Sequence, residues 1–343
     1  MQLTSAVVAA AFLPSALALR QFAFVAYGST FDGGGRAAIT CDGNVKCDDP
    51  AVPLLQCTHW TGNETPEEIY ADTSTEIALN LAAASGETFS AFDDAFVINN
   101  HFDTDGVLSC WACLKPTAAL KHRELLIAGA AAGDFGEWSS DAGVKLDLAV
   151  SAIGASAADD EDGYSKALAA LPTLLEALDT EGEPLYRDGW REALESWNDL
   201  EGGRARVTGE GSVAVVHEPP DGRISAYALH RALSAKNIRC SRVLRVASSG
   251  PTADGASARY RYELEKPGHG WVQRLATRTP VPPADGAAIA AGLSERLGES
   301  DEQVSWVKGG SSGLVAICRT AGWVTSSPET VLEALAACDA AGA

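Results

Sequence analysis

Ala95-Phe-Val-Ile98, then Asn-Asn-His101-Phe-Asp103-Thr-Asp105-Gly106, then Val107-Leu-Ser-Cys-Trp-Ala-Cys-Leu114, is the stretch on which the fold turns. A short apolar run ends in a loop carrying one imidazole and two carboxylates. A helical pattern over 107–114 follows and stops near Pro116. A buried strand feeding a helix in this way is the repeating unit of a parallel sheet covered by helices. His101, Asp103 and Asp105 would then gather beyond the carboxyl end of a strand, where ligands of such sheets bind. Gly106 would let the chain turn sharply after the last carboxylate. Carboxylates joined by imidazole suit Mn²⁺ or Mg²⁺, whereas thiolates would point to zinc or iron–sulfur. An Asp-rich turn that merely caps a helix, with His101 only hydrogen-bonded, is the simpler alternative for the same residues.

The same alternation runs through the first half of the chain. Residues 22–27, 37–41, 52–57 and 125–129 read as strands or buried runs, and 77–84 as a helix. Thr73 and Glu76 offer a cap for that helix, and Pro66-Glu67-Glu68 has the character of a helical first turn. Asp42 follows the second run, His59 the third, and Asp134, within Gly133-Asp134-Phe135-Gly136, the run at 125–129. Each has a plain alternative: Asp42 and Asp134 as turn residues, His59 as a polar cap on the Thr61-Gly62 turn.

The acidic stretch 155–163 reads as an exposed connection, with helical spacing at 166–178 and 190–200. Beyond it, 212–216, 242–246, 258–264 and 270–275 are strand candidates, and 226–235, 287–297 and 329–338 are helical. The expected class is therefore α/β: an N-terminal domain with a parallel sheet and helices on both faces, plus a smaller C-terminal α/β domain. The organisation is a leader at 1–20, a metal-binding domain at 21–155, a helical linker at 156–204 and a substrate-recognition domain at 205–343. Arg259 and Arg261 fall on one face of a strand and could meet an anion, as could Lys308 with the backbone of Gly309 and Gly310. A surface ladder and a glycine hairpin account for the same residues.

The chain has 343 residues, 26 Lys+Arg against 46 Asp+Glu and a formal charge of -20, with no basic stripe. That field repels duplex nucleic acid and anionic lipid, and favours a small phosphorylated substrate accompanied by cations. No apolar run after the first residues is long enough to span a bilayer. Residues 7–13 with Ala16-Leu17-Ala18 have the form of a cleavable leader for secretion or an organelle; a first buried segment of a cytoplasmic protein is the alternative. The eight cysteines form no compact disulfide framework, and Cys110-Trp-Ala-Cys113 reads as two buried thiols of a helix rather than a redox pair.

With these residues in view, Asn100-His-Phe-Asp-Thr-Asp-Gly-Val-Leu-Ser109 resembles the first motif of the DHH phosphoesterase superfamily, in which a strand ends in DxDxDG or HxxxDxD. Cys57-Thr-His-Trp-Thr-Gly-Asn63 with Asp72-Thr-Ser-Thr-Glu76 is similar to that superfamily's Asp-His-His segment, and Thr40-Cys-Asp42-Gly and Gly133-Asp134-Phe to its isolated Asp motifs. The text HFDTDG and HWxGNxTP also resembles an uncharacterised, mostly bacterial family. The motif order differs from the superfamily's, which implies either a circularly permuted sheet or convergence, and Thr58 and Trp60 stand where its outer Asp and His would be. The resemblance implies a DHH-like hydrolase with two divalent cations held by His101, Asp103, Asp105, Asp42, His59 and Asp134, one aspartate bridging them. Asp103, Asp105 and His59 would be catalytic through a metal-activated water, and the C-terminal domain would bind substrate. A metal- or ligand-binding protein that kept the scaffold without hydrolysis is the alternative.

Overall fold

The computed structural model describes residues 20–84, 88–250, 258–299, 303–311 and 313–340. The leader assigned to 1–20 thus lies, but for its last residue, outside the described residues. The chain is α/β, with one all-parallel and one mixed sheet. In the first half, β1 (Gln21–Phe24), β2 (Ala38–Cys41), β3 (Leu54–Cys57) and β4 (Phe96–Asn99) pair in the order β1-β4-β2-β3. The register sets Cys41 beside Cys57 and Thr40 beside Ile98, so three strands end at one rim. α1 (Ser74–Ala83) and α2 (Thr104–Leu114) start from loops beyond that rim and lie against the sheet. Thr73 caps α1 by accepting from Glu76 N–H, and Asp103 caps α2 by accepting from Gly106 N–H.

The main core packs Ile39, Leu55 and Val97 on one sheet face against Ile77, Leu108, Leu146 and Leu171 of the helices. On the other face, Val25, Phe31 and Val45 of an irregular segment close over Ala38 and Ile98. The helices continue as α3 (Pro116–Lys121), α4 (Arg123–Phe135), α5 (Asp141–Ala155), α6 (Asp160–Ala177) and α7 (Glu183–Glu201). The stretch expected as a linker at 156–204 is thus two helices, and Tyr164, Leu171, Leu174 and Tyr186 belong to the N-terminal core.

Three local readings are corrected. Residues 125–129 are not a strand but part of α4, whose stretch from Leu125 to Ala132 is wholly apolar and packs between α2 and α5. A short buried run carries no periodicity by which to choose, and its alanines favour helix. Pro66-Glu67-Glu68 opens no helix; 67–69 is a turn. Residues 270–275 are not a strand either: Gly268–Trp271 is a single 3₁₀ turn, from which Val272 packs on Ala131 and Phe135.

In the second half, β5 (Arg206–Glu210), β6 (Val213–His217), β7 (Arg242–Ser248), β8 (Tyr260–Glu265), β9 (Trp306–Lys308) and β10 (Ala316–Thr320) form a mixed sheet in the order β5-β6-β7-β8-β10-β9. α9 (Gly286–Leu297) and α10 (Pro328–Ala340) cover one face; α8 (Ala226–Ala235) packs on the other. No helix among the described residues is long and apolar enough to cross a membrane.

The two halves meet where the turn at 268–271 abuts the end of α4, and a Cβ on Gly268 would overlap the Phe135 carbonyl. Backbone cannot yield as a flexible side chain can, so the contact demands glycine. Gly268→Ala is expected to cost about 1–3 kcal/mol, the range for overpacking a closed contact. Chemical denaturation checks this, alongside Gly250→Ala, which meets no atom within 4 Å but bears its own positive-φ strain.

Candidate metal centre

Six side chains converge at the carboxyl rim of the parallel sheet. Asp42 leaves β2, His59 follows β3, His101 follows β4, and Asp103 and Asp105 occupy the cap and first turn of α2. Asp134 arrives from the carboxyl end of α4, not from a strand. Asp42, His59, Asp105 and Asp134 each offer one ligand atom, all within 4.8 Å of one another; Asp42, His101 and Asp103 do the same. Asp42 belongs to both groups. His59 Nε2 lies 3.0 Å from Asp134 Oδ2, 3.3 Å from Asp42 Oδ1 and 3.6 Å from Asp105 Oδ2. His101 Nε2 lies 3.2 Å from Asp42 Oδ2 and 3.1 Å from Asp103 Oδ2. The first group is buried; the second opens to solvent, with the His101 side chain 22% and Asp103 40% exposed.

The supports are as specific as the ligands. His59 Nδ1 is 2.6 Å from the Asp72 carbonyl, which only accepts, so Nδ1 carries the proton and Nε2 faces the carboxylates. Trp60 Nε1–H and Ser74 Oγ–H donate to Asp42 Oδ1, at 3.1 and 2.9 Å. Ser74 and Thr75 N–H, at the amino end of α1, each donate to Asp105 at 2.7 Å. Asp42 adopts a left-handed backbone with φ 42°, a conformation that aspartate tolerates better than most residues and one that concentrates at functional sites. Gly106 makes no sharp turn, contrary to the sequence reading. It lies inside α2, where a Cβ would crowd Asn99 Nδ2 at 2.8 Å and press on the Tyr164 hydroxyl.

Asp42 Oδ2, His59 Nε2 and Asp134 Oδ2 are buried and have no hydrogen-bond partner. His59 Nε2 faces Asp134 Oδ2 at 3.0 Å and Asp42 Oδ2 faces His101 Nε2 at 3.2 Å, in both cases without hydrogen-bond geometry. Buried polar atoms are ordinarily satisfied, and oxygen and imidazole nitrogen are the donor atoms that hard divalent cations accept. The cluster could hold a metal ion.

Electrostatics without a cation agree. Burial raises the Asp134 carboxyl well above the ordinary range, and neighbouring Asp105 adds to this. Burial, then Asp42, pushes Asp105 up to about 6. Burial also opposes charge on Asp42, but the nearby His101 and His59 imidazoles prevail and hold its pKa low. For the imidazoles burial disfavours the cation, yet their carboxylate partners win: His59 is raised well above its usual value and His101 to about 11. Protons on the two imidazoles thus do part of a cation's work, and a metal would displace them.

Around the centre stand residues the sequence reading did not assign to it. Trp271 packs edge-on against the His59 ring at 5.1 Å. Arg278 pairs with Asp72 and Glu137, each at 2.6 Å. Asp72 was legible only as the first residue of the Asp72–Glu76 motif, without a role of its own, Trp60 only as a departure from a motif, and Arg278 carried no signal beyond a cation near prolines. A cavity of about 1900 Å³ runs between the halves, lined by Asp134, Glu137, His269, Trp271 and Arg278 among others.

The anion-binding residues expected in the C-terminal domain lie apart. Arg259 reaches the Trp323 carbonyl at 3.4 Å and Arg261 stacks over the Trp323 ring. Arg261 and Gly310 line a second, adjoining cavity of about 460 Å³, to which none of the six converging residues contributes. Lys308 ends β9, Gly309 has φ 83°, and Gly310 lies against the Glu263 carboxylate. Cys110 and Cys113 are buried in α2, and Cys113 Sγ lies 3.6 Å from Cys41 Sγ.

A family model described as a family of unknown function (DUF6687) matches residues 20–331. No curated protein matches the chain.

The raised pKa of His101 has a sign. Its folded value of about 11 lies above the unfolded 6.5, so its stabilisation is complete below about 6.5 and is lost as pH rises toward 11. In chelator, wild type is expected to lose stability between pH 7 and 10 more steeply than His101→Gln, as read by urea denaturation at each pH. Equal slopes would contradict the assignment.

Proposed function

This chain belongs to the family of unknown function DUF6687, and from that premise we propose that it is a metal-dependent hydrolase of phosphoesterase or phosphoanhydride-hydrolase type. The observation that carries the proposal is the convergence of three orphaned buried atoms, on Asp42, His59 and Asp134, within two ligand groups that share Asp42. Four carboxylates share this centre, so two divalent cations would balance them if the imidazoles are neutral. Asp42, His59, Asp105 and Asp134 would hold one ion, Asp42, His101 and Asp103 the other, with Mn²⁺ or Mg²⁺ suited to oxygen-rich ligands. When bound, such ions supply an acidified water at neutral pH and offset charge on a phosphoryl oxygen.

The chain's own groups supply the rest. Trp60 and Ser74 pin one oxygen of Asp42 and leave the other free for sharing. The Asp72 carbonyl fixes the tautomer in which His59 presents a lone pair. No protein nucleophile is required. Asp134 faces the wide cavity, the entry we assign to a small phosphorylated substrate; a net charge of -20 disfavours duplex nucleic acid as the alternative. The DHH-like character is part of the same proposal, since it rests on motif text and on the bridging aspartate.

One observation favours a second reading, a non-catalytic metal-binding protein. Trp60, in place of a second imidazole, occupies an oxygen of the shared carboxylate. Metal analysis and an assay decide between them. Wild type purified in Mn²⁺ is expected to hold about two equivalents and to hydrolyse small phosphate compounds. Asp42→Asn, which touches both groups, should drop content below one equivalent and activity by at least about 100-fold. Two equivalents without turnover of any phosphate compound would leave the binding protein; no retained metal would remove both readings.

A further inference from the structure

Asp72 and Glu137 stand directly behind two ligands of the buried group. The Asp72 carbonyl accepts the Nδ1 proton of His59, and Glu137 follows Asp134 by three residues, just past the Gly136 cap that ends α4. Neither carboxylate points at the ligand atoms. Both are turned instead toward one segment of the C-terminal half. Asp72 accepts from Ala276 N–H, from Thr277 N–H and hydroxyl, and from Arg278 Nη1 at 2.6 Å. Glu137 accepts both arms of the same guanidinium, Nε at 2.7 Å and Nη2 at 2.6 Å. Arg278 therefore ties the loop that orients His59 to the helix end that delivers Asp134.

From this geometry we infer that Arg278 is a positioning residue through which the C-terminal half completes the His59–Asp134 part of the metal centre. The inference rests on the proposed metal site and concerns what holds it in shape. A guanidinium is the group for the task, because its planar fork can serve a bidentate carboxylate and a second acceptor at once, which an ammonium cannot. Simple Coulomb reasoning would assign it the opposite effect. A fixed positive charge beside the centre repels divalent cations, so removing it should tighten binding; if Arg278 works by placement, its loss weakens binding. Reciprocity adds a second consequence. If docking of 276–278 raises metal affinity, metal must stabilise that docking by the same factor.

Charge-conserving variants isolate the fork from the charge. Arg278→Lys is compared with Arg274→Lys, a residue of the same segment that pairs with exposed Glu67 and stacks on Tyr70, away from the supports of His59 and Asp134. Isothermal titration with Mn²⁺ should show the tighter-held equivalent weakened about 10–100-fold in Arg278→Lys, the usual size of outer-shell losses. The second equivalent should stay near wild type, and Arg274→Lys should match wild type at both. Hydrogen exchange on wild type gives a readout independent of any variant's folding: Mn²⁺ should slow the amides of residues 276 and 277. Wild-type affinity in Arg278→Lys, an equal loss in Arg274→Lys, or exchange indifferent to Mn²⁺ would each overturn the inference. Failure of wild type to bind Mn²⁺ at all would instead bring down the metal centre on which it stands.

Discussion

Four carboxylates gathered at one largely buried point set the terms for the rest of this structure. At separations of a few ångströms, like charges removed from water repel by several kcal/mol even at a generous effective dielectric. Three answers coexist in the metal-free protein. Asp42 stays ionised between two protonated imidazoles, Asp105 and Asp134 are driven toward their neutral forms, and hydrogen-bond donors crowd the oxygens that remain. Such a balance is costly to maintain for structure alone. The same balance is what a site that could hold a metal ion would show without one.

The parallel sheet makes the crowding unavoidable once the ligands are placed at strand ends. Cys41 pairs with Cys57 and Thr40 with Ile98, so the residues that follow β2, β3 and β4 emerge side by side. The loops then differ in what they bring: a strained Asp42 after β2, a buried imidazole after β3, and after β4 a segment that caps its own helix with Asp103 while pointing Asp105 at the start of α1. Helix amino ends hold anions in place on this side. The second half of the molecule adds the segment around Trp271 and Arg278, which meets His59 and the residue before the cap of α1.

What the sequence disclosed follows the range of the interactions. The strands at 38–41, 54–57 and 96–99, and the cap of α2, depend on neighbours close in the chain, and their pattern is visible there. All six converging residues could be named from strand ends and motif text, although Asp134 was found through a strand that is really α4. The contacts of Asp72 with Thr277 and Arg278 span 205 and 206 positions and leave no local trace. Arg259 and Arg261 stood out by alternation; in the structure Arg259 meets the Trp323 carbonyl, and Arg261 stacks over the Trp323 ring and lines the smaller cavity. Conspicuous spacing reports the geometry of a strand, not what faces it.

Asp134 is the most telling member because its position is unfavourable on every count except one. It lies in the last turn of α4, at the negative pole of that helix, and sits beside two other carboxylates, Asp42 and Asp105. A helix end of that polarity destabilises an anion and stabilises a cation. A chain selected only to fold could place a neutral side chain there at no loss, whereas Asp105 and Asp103 at least accept N–H donors from the amino ends of α1 and α2. The helix amino ends give Asp105 and Asp103 their N–H donors, while the gathered carboxylates, with the negative pole of α4 beside Asp134, favour positive charge at the centre. The carboxylate on α4 then completes the set of oxygens around it.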